Sequence, residues 1–348
     1  MVARHSQNPI ITISDIKPSR PDFEILGVFN AGTATYKGKR ILLVRVAEKP
    51  VQSDPQKVPV PIFNPIRKKT EILFLDQNDS SYNFSDPRVI HCKQGQNYLT
   101  SISHIRYAES EDGIHFRVAD EPLIAAFDEY TAFGVEDARI TQMGDDYYVN
   151  FSAASEYGIV TRLLRTKDFA SFQDLGNIFH PDNKDVTIFP EKINGLYYAL
   201  HRPSTSEYGV PNLWIADSPD LVHWGNNRVA ATVRPNQWDN GRIGASCVPF
   251  LTEKGWLEIY HGATKENRYC LGAMLLKADE PWKVLARSER PVLEPEMPYE
   301  LNGFFGNVVF SCGLLANGRQ LDIYYGASDD SVCLASVPVQ EIWDLLGV

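Results

Sequence analysis

Short segments in which apolar and polar side chains alternate, closing on small residues, recur along the chain. They are YYVNFSAAS (147–155), LYYALHRPS (196–204), WLEIYHGAT (256–264) and LDIYYGAS (321–328), with LLVRVAE (42–48) a looser copy. A period of two puts successive side chains on opposite faces, so each segment reads as a β-strand. A turn precedes each one: Gly38-Lys39, Gly144-Asp145, Asn194-Gly195, Lys254-Gly255 and Asn317-Gly318. A second motif follows the strands, an Asp with an aromatic four residues on: Asp112…Phe116, Asp168…Phe172 and Asp220…Trp224, with Asp279…Trp282 a near match. Such an Asp opens a turn by accepting backbone N–H groups, and the aromatic starts the next strand and packs between sheets.

A third motif precedes the aromatic strands: Asp86-Pro87-Arg88-Val89, Asp137-Ala138-Arg139-Ile140, Pro190-Glu191-Lys192-Ile193, Val248-Pro249-Phe250 and Asn307-Val308-Val309-Phe310. The repeat of roughly 50–60 residues holds three or four antiparallel strands, the content of a propeller blade. Units starting near 86, 137, 190, 247 and 307 are clear, and a degenerate copy starts at Asn30. Five or six blades fit, with the N-terminal strand completing one of them. Only VQEIWDLLGV at the C-terminus reads as helix. The expectation is one all-β domain over residues 1–348, with an N-terminal extension (1–23) and a proline-rich insertion (49–70).

Charge and composition narrow the function. The 348 residues carry 34 Lys+Arg against 44 Asp+Glu, a net charge of −10 without a basic run, which disfavours nucleic acid. Apolar runs fall short of the roughly 18 residues of a membrane span, and the N-terminus lacks a signal-peptide core. Cys92, Cys247, Cys270, Cys312 and Cys333 form no CxxC pair, so neither a disulfide framework nor a metal site is expected, and the cytoplasm is the expected location. The aromatics (6 Trp, 16 Tyr, 17 Phe) suit both inter-sheet packing and sugar stacking.

In a propeller the first strand of each blade lines a central channel. Placing the third motif there brings Asn30, Asp86, Asp137, Glu191, Ser246 and Asn307 towards one pocket. Converging carboxylates, one of them protonated, are what glycoside cleavage requires. An acid before a strand is more often a turn residue, but GVEDARI sets two acids and an arginine in an apolar segment, and Asp137 and Arg139, two positions apart, are expected on the same face of the strand.

GVEDARI, together with DVTIFPEKINGLYYALHRP (185–203), GASCVPFLTEKGWLEIYHGAT (244–264), YCLGAMLLKADEPWKVLARSERPVLEPE (269–296) and GNVVFSCGLL…LDIYYGASDD (306–330), resembles glycoside hydrolase family 130 from about Asn30 onwards. The resemblance implies a five-bladed propeller acting on β-mannosides, either a phosphorylase or a β-1,2-mannosidase. It implies that Asp137 is the catalytic acid, with Ala138 replacing the family's usual proline. It implies mannose contacts from Asn30, Arg45 and Asp329, and Asp86 is a further candidate for sugar contact.

The two activities differ in what faces the acid. A hydrolase needs a carboxylate base to activate water, whereas a phosphorylase needs positive charge to hold phosphate and no base. The matching positions here carry basic residues, Arg202, Arg242 (where the family phosphorylases usually have Lys) and His261, followed by Tyr269, with Lys184 a further candidate. Glu207 and Glu258 are the candidate bases if the protein is a mannosidase. The expected reaction is therefore inverting phosphorolysis of a β-1,2- or β-1,4-mannoside to α-mannose 1-phosphate. Inorganic phosphate is the co-substrate, and no cofactor is expected. The alternatives are an inverting β-1,2-mannosidase and a non-catalytic sugar-binding propeller. The rim around residues 50–85 is the candidate region for acceptor choice and for contacts between copies in a homo-oligomer.

Overall fold

The computed structural model describes residues 2–204 and 208–348. Apart from short 3₁₀ turns and two short helices, Pro298–Leu301 and Val339–Leu346, its regular structure is β-strand. The second helix is the one expected at the C-terminus.

Five antiparallel units follow one another. The first holds Phe23–Tyr36, Lys39–Pro50, Ile102–Ser110 and Arg117–Val118, and the second holds Gly134–Met143, Asp146–Ser155, Gly158–Thr166 and Gln173–Phe179. One parallel bridge, Gly134 to Ser103, joins these two units into an eight-stranded sheet. The third unit is Asn183–Ile188, Tyr197–Pro203, Leu213–Ser218 and Gly225–Ala231. The fourth is Arg242–Ala245, Gly255–Ala263, Tyr269–Leu276 and Val284–Arg287. The fifth is Val309–Asn317, Gln320–Ala327 and Ser331–Pro338, completed by the N-terminal strand Ala3–Arg4.

The hydrophobic clusters lie between units, because each sheet has two faces to cover. Ile41, Leu43 and Ile105 of the first unit meet Val135 and Phe151 of the second. Leu163 and Ile178 meet Val186 and Ala199, and Leu200 and Ile215 meet Ile243 and Trp256. Leu257 and Leu271 meet Ile323 and Tyr325, with Ile342 and Trp343 of the C-terminal helix. Tyr324 and Leu334 of the fifth unit then meet Val28 and Val44 of the first. The turn aspartates behave as the sequence indicates: Asp112, Asp168 and Asp220 each accept backbone N–H groups two and three residues on.

Two expectations are corrected. The copy at Asn30 is the first unit, which opens at Phe23, and Asp86 starts no separate unit but lies in an insertion within that one. The insertion is also longer than the proline-rich stretch. It runs from the end of Lys39–Pro50 to the start of Ile102–Ser110 and contains the hairpin Lys57–Asn64/Lys69–Asp76 and the small sheet Tyr82–Asn83, Val89–Cys92 and Tyr98–Leu99. Pro59 and Pro61 sit within a hairpin strand. They are tolerated because N–H groups of that parity point away from the partner strand, as the Phe63 N–H does in donating to Ala132 O (2.8 Å).

Candidate active site

The leading strands of the first three units share a local device. Each carries a β-bulge, between Phe29 and Gly32, Glu136 and Arg139, and Lys184 and Thr187. Each bulge holds one residue at positive φ: Asn30 (51°), Asp137 (55°) and Asp185 (56°). Asn and Asp tolerate this left-handed conformation better than other side chains with a Cβ, and the bulge re-aims them out of the regular alternation.

The bulged residues open onto a cavity of about 360 Å³. Asn30 Nδ2 donates to Asp137 Oδ1 at 2.9 Å, and Arg45 donates to the same oxygen at 3.1 Å. Arg45 also donates to Glu136 Oε1 (2.9 Å) and Ser103 Oγ (3.0 Å), and Lys184 Nζ lies 3.5 Å from Glu136 Oε2. Burial raises the Glu136 pKa, but Arg45 and Lys184 outweigh it and hold the carboxyl below its usual range. Asp329 closes this side. Burial pushes its carboxyl up to about 6, with Arg45 opposing the rise and Asp137 adding to it.

On the facing wall Asp185 gathers two arginines and a histidine. Arg202 lies 2.9 Å from its Oδ2, His261 Nε2 3.3 Å from the same atom, and Arg139 3.3 Å from Oδ1. Burial alone would raise the Asp185 pKa; Arg202, His261 and Arg139 more than offset it and keep it well below the carboxylate range. Burial lowers the His261 pKa, so the ring is neutral at pH 7, and its Nδ1 lies 3.1 Å from Ser246 Oγ. Among the described residues, Arg202 Nε and His261 Nε2 are buried without a hydrogen-bond partner. Tyr269 completes the wall, its hydroxyl accepting from Arg242 at 2.9 Å.

Asn30, Arg45, Asp137, Lys184, Arg202, His261, Tyr269 and Asp329 thus all line one cavity. Arg242 stands one bond behind it, through Tyr269. Asp86 is on the insertion, its carboxylate bonded to Arg88, and it is Arg88 that lines the cavity. Glu191 is exposed at a hairpin end, and Asp185 holds the position expected of it. Ser246 is buried behind His261, and Asn307 is exposed beside the cavity-lining Val308. The bulge also separates Asp137 from Arg139: Arg139 donates to the Asp137 main-chain oxygen (2.9 Å), not to its carboxylate. Glu258 is fully buried, accepts the Ser246 N–H at 3.1 Å, and burial pushes its carboxyl well above its usual value. Glu207 lies outside the described residues. Asp185, Glu136 and Arg88 were not among the expected site residues; the acid in NKD beside Lys184 was the available signal for Asp185.

A family profile described as β-1,4-mannooligosaccharide phosphorylase matches residues 87–347. A β-1,2-mannobiose phosphorylase of Listeria innocua is 50% identical over 350 residues, covering 100% of this chain and 99% of that protein. The chain belongs to glycoside hydrolase family 130, the mannoside phosphorylase family. A solved structure of a Listeria innocua β-1,2-mannobiose phosphorylase, in complex with β-1,2-mannobiose, superposes with a TM-score of 0.97 at 50% identity over 99% of both chains. A 1,2-β-oligomannan phosphorylase of Thermoanaerobacter is 37% identical over 257 residues, 72% of this chain and 83% of that protein. As an enzyme of this family the chain cleaves β-mannosides by phosphorolysis. Among the described residues no helix is long and apolar enough to cross a membrane, and no group of three or more His, Cys, Asp or Glu is arranged to hold a metal ion.

Proposed function

We propose that the substrate is β-1,2-mannobiose or a short β-1,2-mannooligosaccharide, cleaved with inversion by inorganic phosphate to give α-mannose 1-phosphate. The non-reducing mannose lies against Asn30, Arg45 and Asp329. Asp137, whose Oδ1 is already engaged by Asn30 and Arg45, delivers the proton to the leaving oxygen from Oδ2. Phosphate lies against Arg202, His261, Lys184 and Tyr269, the last held by Arg242. It attacks the anomeric carbon from the face opposite the leaving sugar.

The observation that carries this reading is the facing wall. It presents buried, unpartnered donor positions at Arg202 Nε and at neutral His261 Nε2, where an anion gains charge-assisted bonds. Among the described residues it offers no competent base. A general base works best with a pKa near the operating pH, and Asp185 and Glu136 are both held low by their cations. Glu258 lies outside the cavity lining.

The reading also takes the five units as blades of a five-bladed propeller. The cyclic packing, first unit to second and on to fifth against first, supports this. Five free cysteines, four of them buried, suit a reducing cytoplasm. Exposed Ile66, Leu73 and Phe74 on the insertion hairpin make it the surface for contacts between copies.

Incubating β-1,2-mannobiose with and without phosphate tests the reaction. Mannose 1-phosphate should form only with phosphate, and phosphate-independent release of mannose would overturn the reading in favour of hydrolysis. Asp137→Asn should abolish turnover. Arg202→Ala should raise the phosphate KM roughly 10- to 100-fold, the worth of a charge-assisted hydrogen bond.

A further inference from the structure

His261 lines the anion wall, and its two ring nitrogens have different neighbours. Nε2 lies 3.3 Å from Asp185 Oδ2, and Nδ1 lies 3.1 Å from Ser246 Oγ. His261 and Ser246 are both fully buried. Which nitrogen carries the proton decides whether the ring offers an incoming anion a donor or a lone pair.

The ring is too tightly packed to exchange the two nitrogens by turning over. Phe310 packs against it at a centroid distance of 4.6 Å and Tyr269 at 6.2 Å. On its edge the main chain at Gly244 is so near that a Cβ there would stand 2.8 Å from Nε2. The place of the proton is therefore set by the neighbours of each nitrogen. Burial keeps the ring neutral, which leaves it one N–H and one bare nitrogen.

With the proton on Nδ1, the bare Nε2 would set its lone pair against the ionised Asp185 carboxylate. Ser246 Oγ would then accept from Nδ1 and its own hydrogen would be left over, because among the described residues Oγ has no other hydrogen-bond partner. With the proton on Nε2 both conflicts vanish: the Ser246 hydroxyl donates to Nδ1, and Nε2–H faces the carboxylate. Ser246 is itself held in place. Its N–H donates to Glu258 Oε1 at 3.1 Å, and its main-chain oxygen accepts from Arg139 Nε at 3.3 Å. A terminal nitrogen of the same arginine lies 3.3 Å from Asp185 Oδ1, so one guanidinium ties together the groups that face both nitrogens of the ring.

We infer that Ser246 is a positioning residue for phosphate binding: its hydroxyl fixes the His261 proton on Nε2, so that the ring meets phosphate as a hydrogen-bond donor. The inference rests on the phosphorolytic reading above. It gives the serine behind the wall a part in binding an anion it does not touch.

The proton is seen directly by long-range proton–nitrogen correlation NMR of isotope-labelled histidines, the His261 signals being those lost in His261→Gln. A protonated Nε2 and a bare Nδ1 are expected, and a proton on Nδ1 overturns the inference. Kinetics read the consequence. In phosphorolysis of β-1,2-mannobiose, Ser246→Ala should raise the phosphate KM about tenfold and leave the mannobiose KM within about twofold. Ser246→Cys is close in size but a weak donor, so its phosphate KM should stay raised. It also carries the test if Ser246→Ala does not fold. An unchanged phosphate KM in Ser246→Ala, an equal rise in both KM values, or full recovery in Ser246→Cys overturns the inference, since packing alone would give those results. If the unmodified protein consumes no phosphate, it is the phosphorolytic reading that fails. The spectrum still decides where His261 carries its proton, so the two failures are told apart.

Discussion

The polar residues of the cavity are arranged in opposed charge clusters rather than simple pairs. Glu136 and Asp137 share Arg45, and Asp185 shares Arg202, His261 and Arg139; Glu136 and Asp185 are held below the usual carboxylate range. Asp329 is the exception, pushed up to about 6 by burial. In the unfolded chain an aspartate titrates near pH 4, so between about pH 4 and 6 the folded protein holds a proton that the unfolded chain has released. Stability from this group is complete below about pH 4 and is lost as pH rises through about 6. Asp329→Asn, neutral throughout, should therefore melt higher than the unmodified protein at pH 8, with the difference vanishing towards pH 4 while mannoside turnover falls. A melting-point series across pH reads this directly, and a stability gain that grows on acidification would contradict it.

At the scale of the element, the bulges turn alternating strands into a site. A regular strand would send neighbouring side chains to opposite faces, and Asn30, Asp137 and Asp185 would not face one another across the cavity. Close approach matters as much. Gly244, in the strand Arg242–Ala245, has no room for a side chain: a Cβ there would stand 2.6 Å from His261 Cε1 and 2.9 Å from Asp185 Oδ2. Gly244→Ala should displace His261 and Asp185 and reduce kcat/KM about 100-fold, since misplacing catalytic groups by about 1 Å has that scale of effect. Circular dichroism and the melting point should change little by comparison. Retained activity would mean that the wall relaxes without consequence. The bulges explain why Glu191 was the wrong counterpart to choose: the repeat shows which strands correspond, but not where one residue has been added to a strand.

Across the whole molecule, the chain ends are tied together. Ala3–Arg4 pairs with Ser331–Pro338, and Arg4 donates to both oxygens of the fully buried Glu300 at 2.7 and 3.0 Å. Tyr325 and the main-chain N–H groups of Glu296 and Met297 bond the same carboxylate. Arg4→Ala leaves a buried charge without its cation and should cost about 3 kcal/mol in urea unfolding. Adding Glu300→Gln to Arg4→Ala should recover part of that, because the amide needs no counter-charge. A neutral effect of Arg4→Ala would mean that the N-terminal strand contributes little to holding the fifth unit.

The sequence by itself determined the β-rich repeat, the turn aspartates, the C-terminal helix and eight of the residues that line the cavity. Those features rest on local rules: a period of two, carboxylates bonding N–H groups two and three residues ahead, and side chains read from a family pattern. Tertiary structure decided which acids face the cavity, that Arg139 serves Asp185 rather than the Asp137 carboxylate, and that the insertion supplies a wall. It also set Asp86 to hold Arg88 and Arg242 to hold Tyr269. Asn30 and Asp137 meet across 107 positions of chain, and no local pattern reports that distance. A bulge shifts register by one residue without changing the alternation on either side of it enough to be read, and a cation's partner is chosen by the strand that packs beside it.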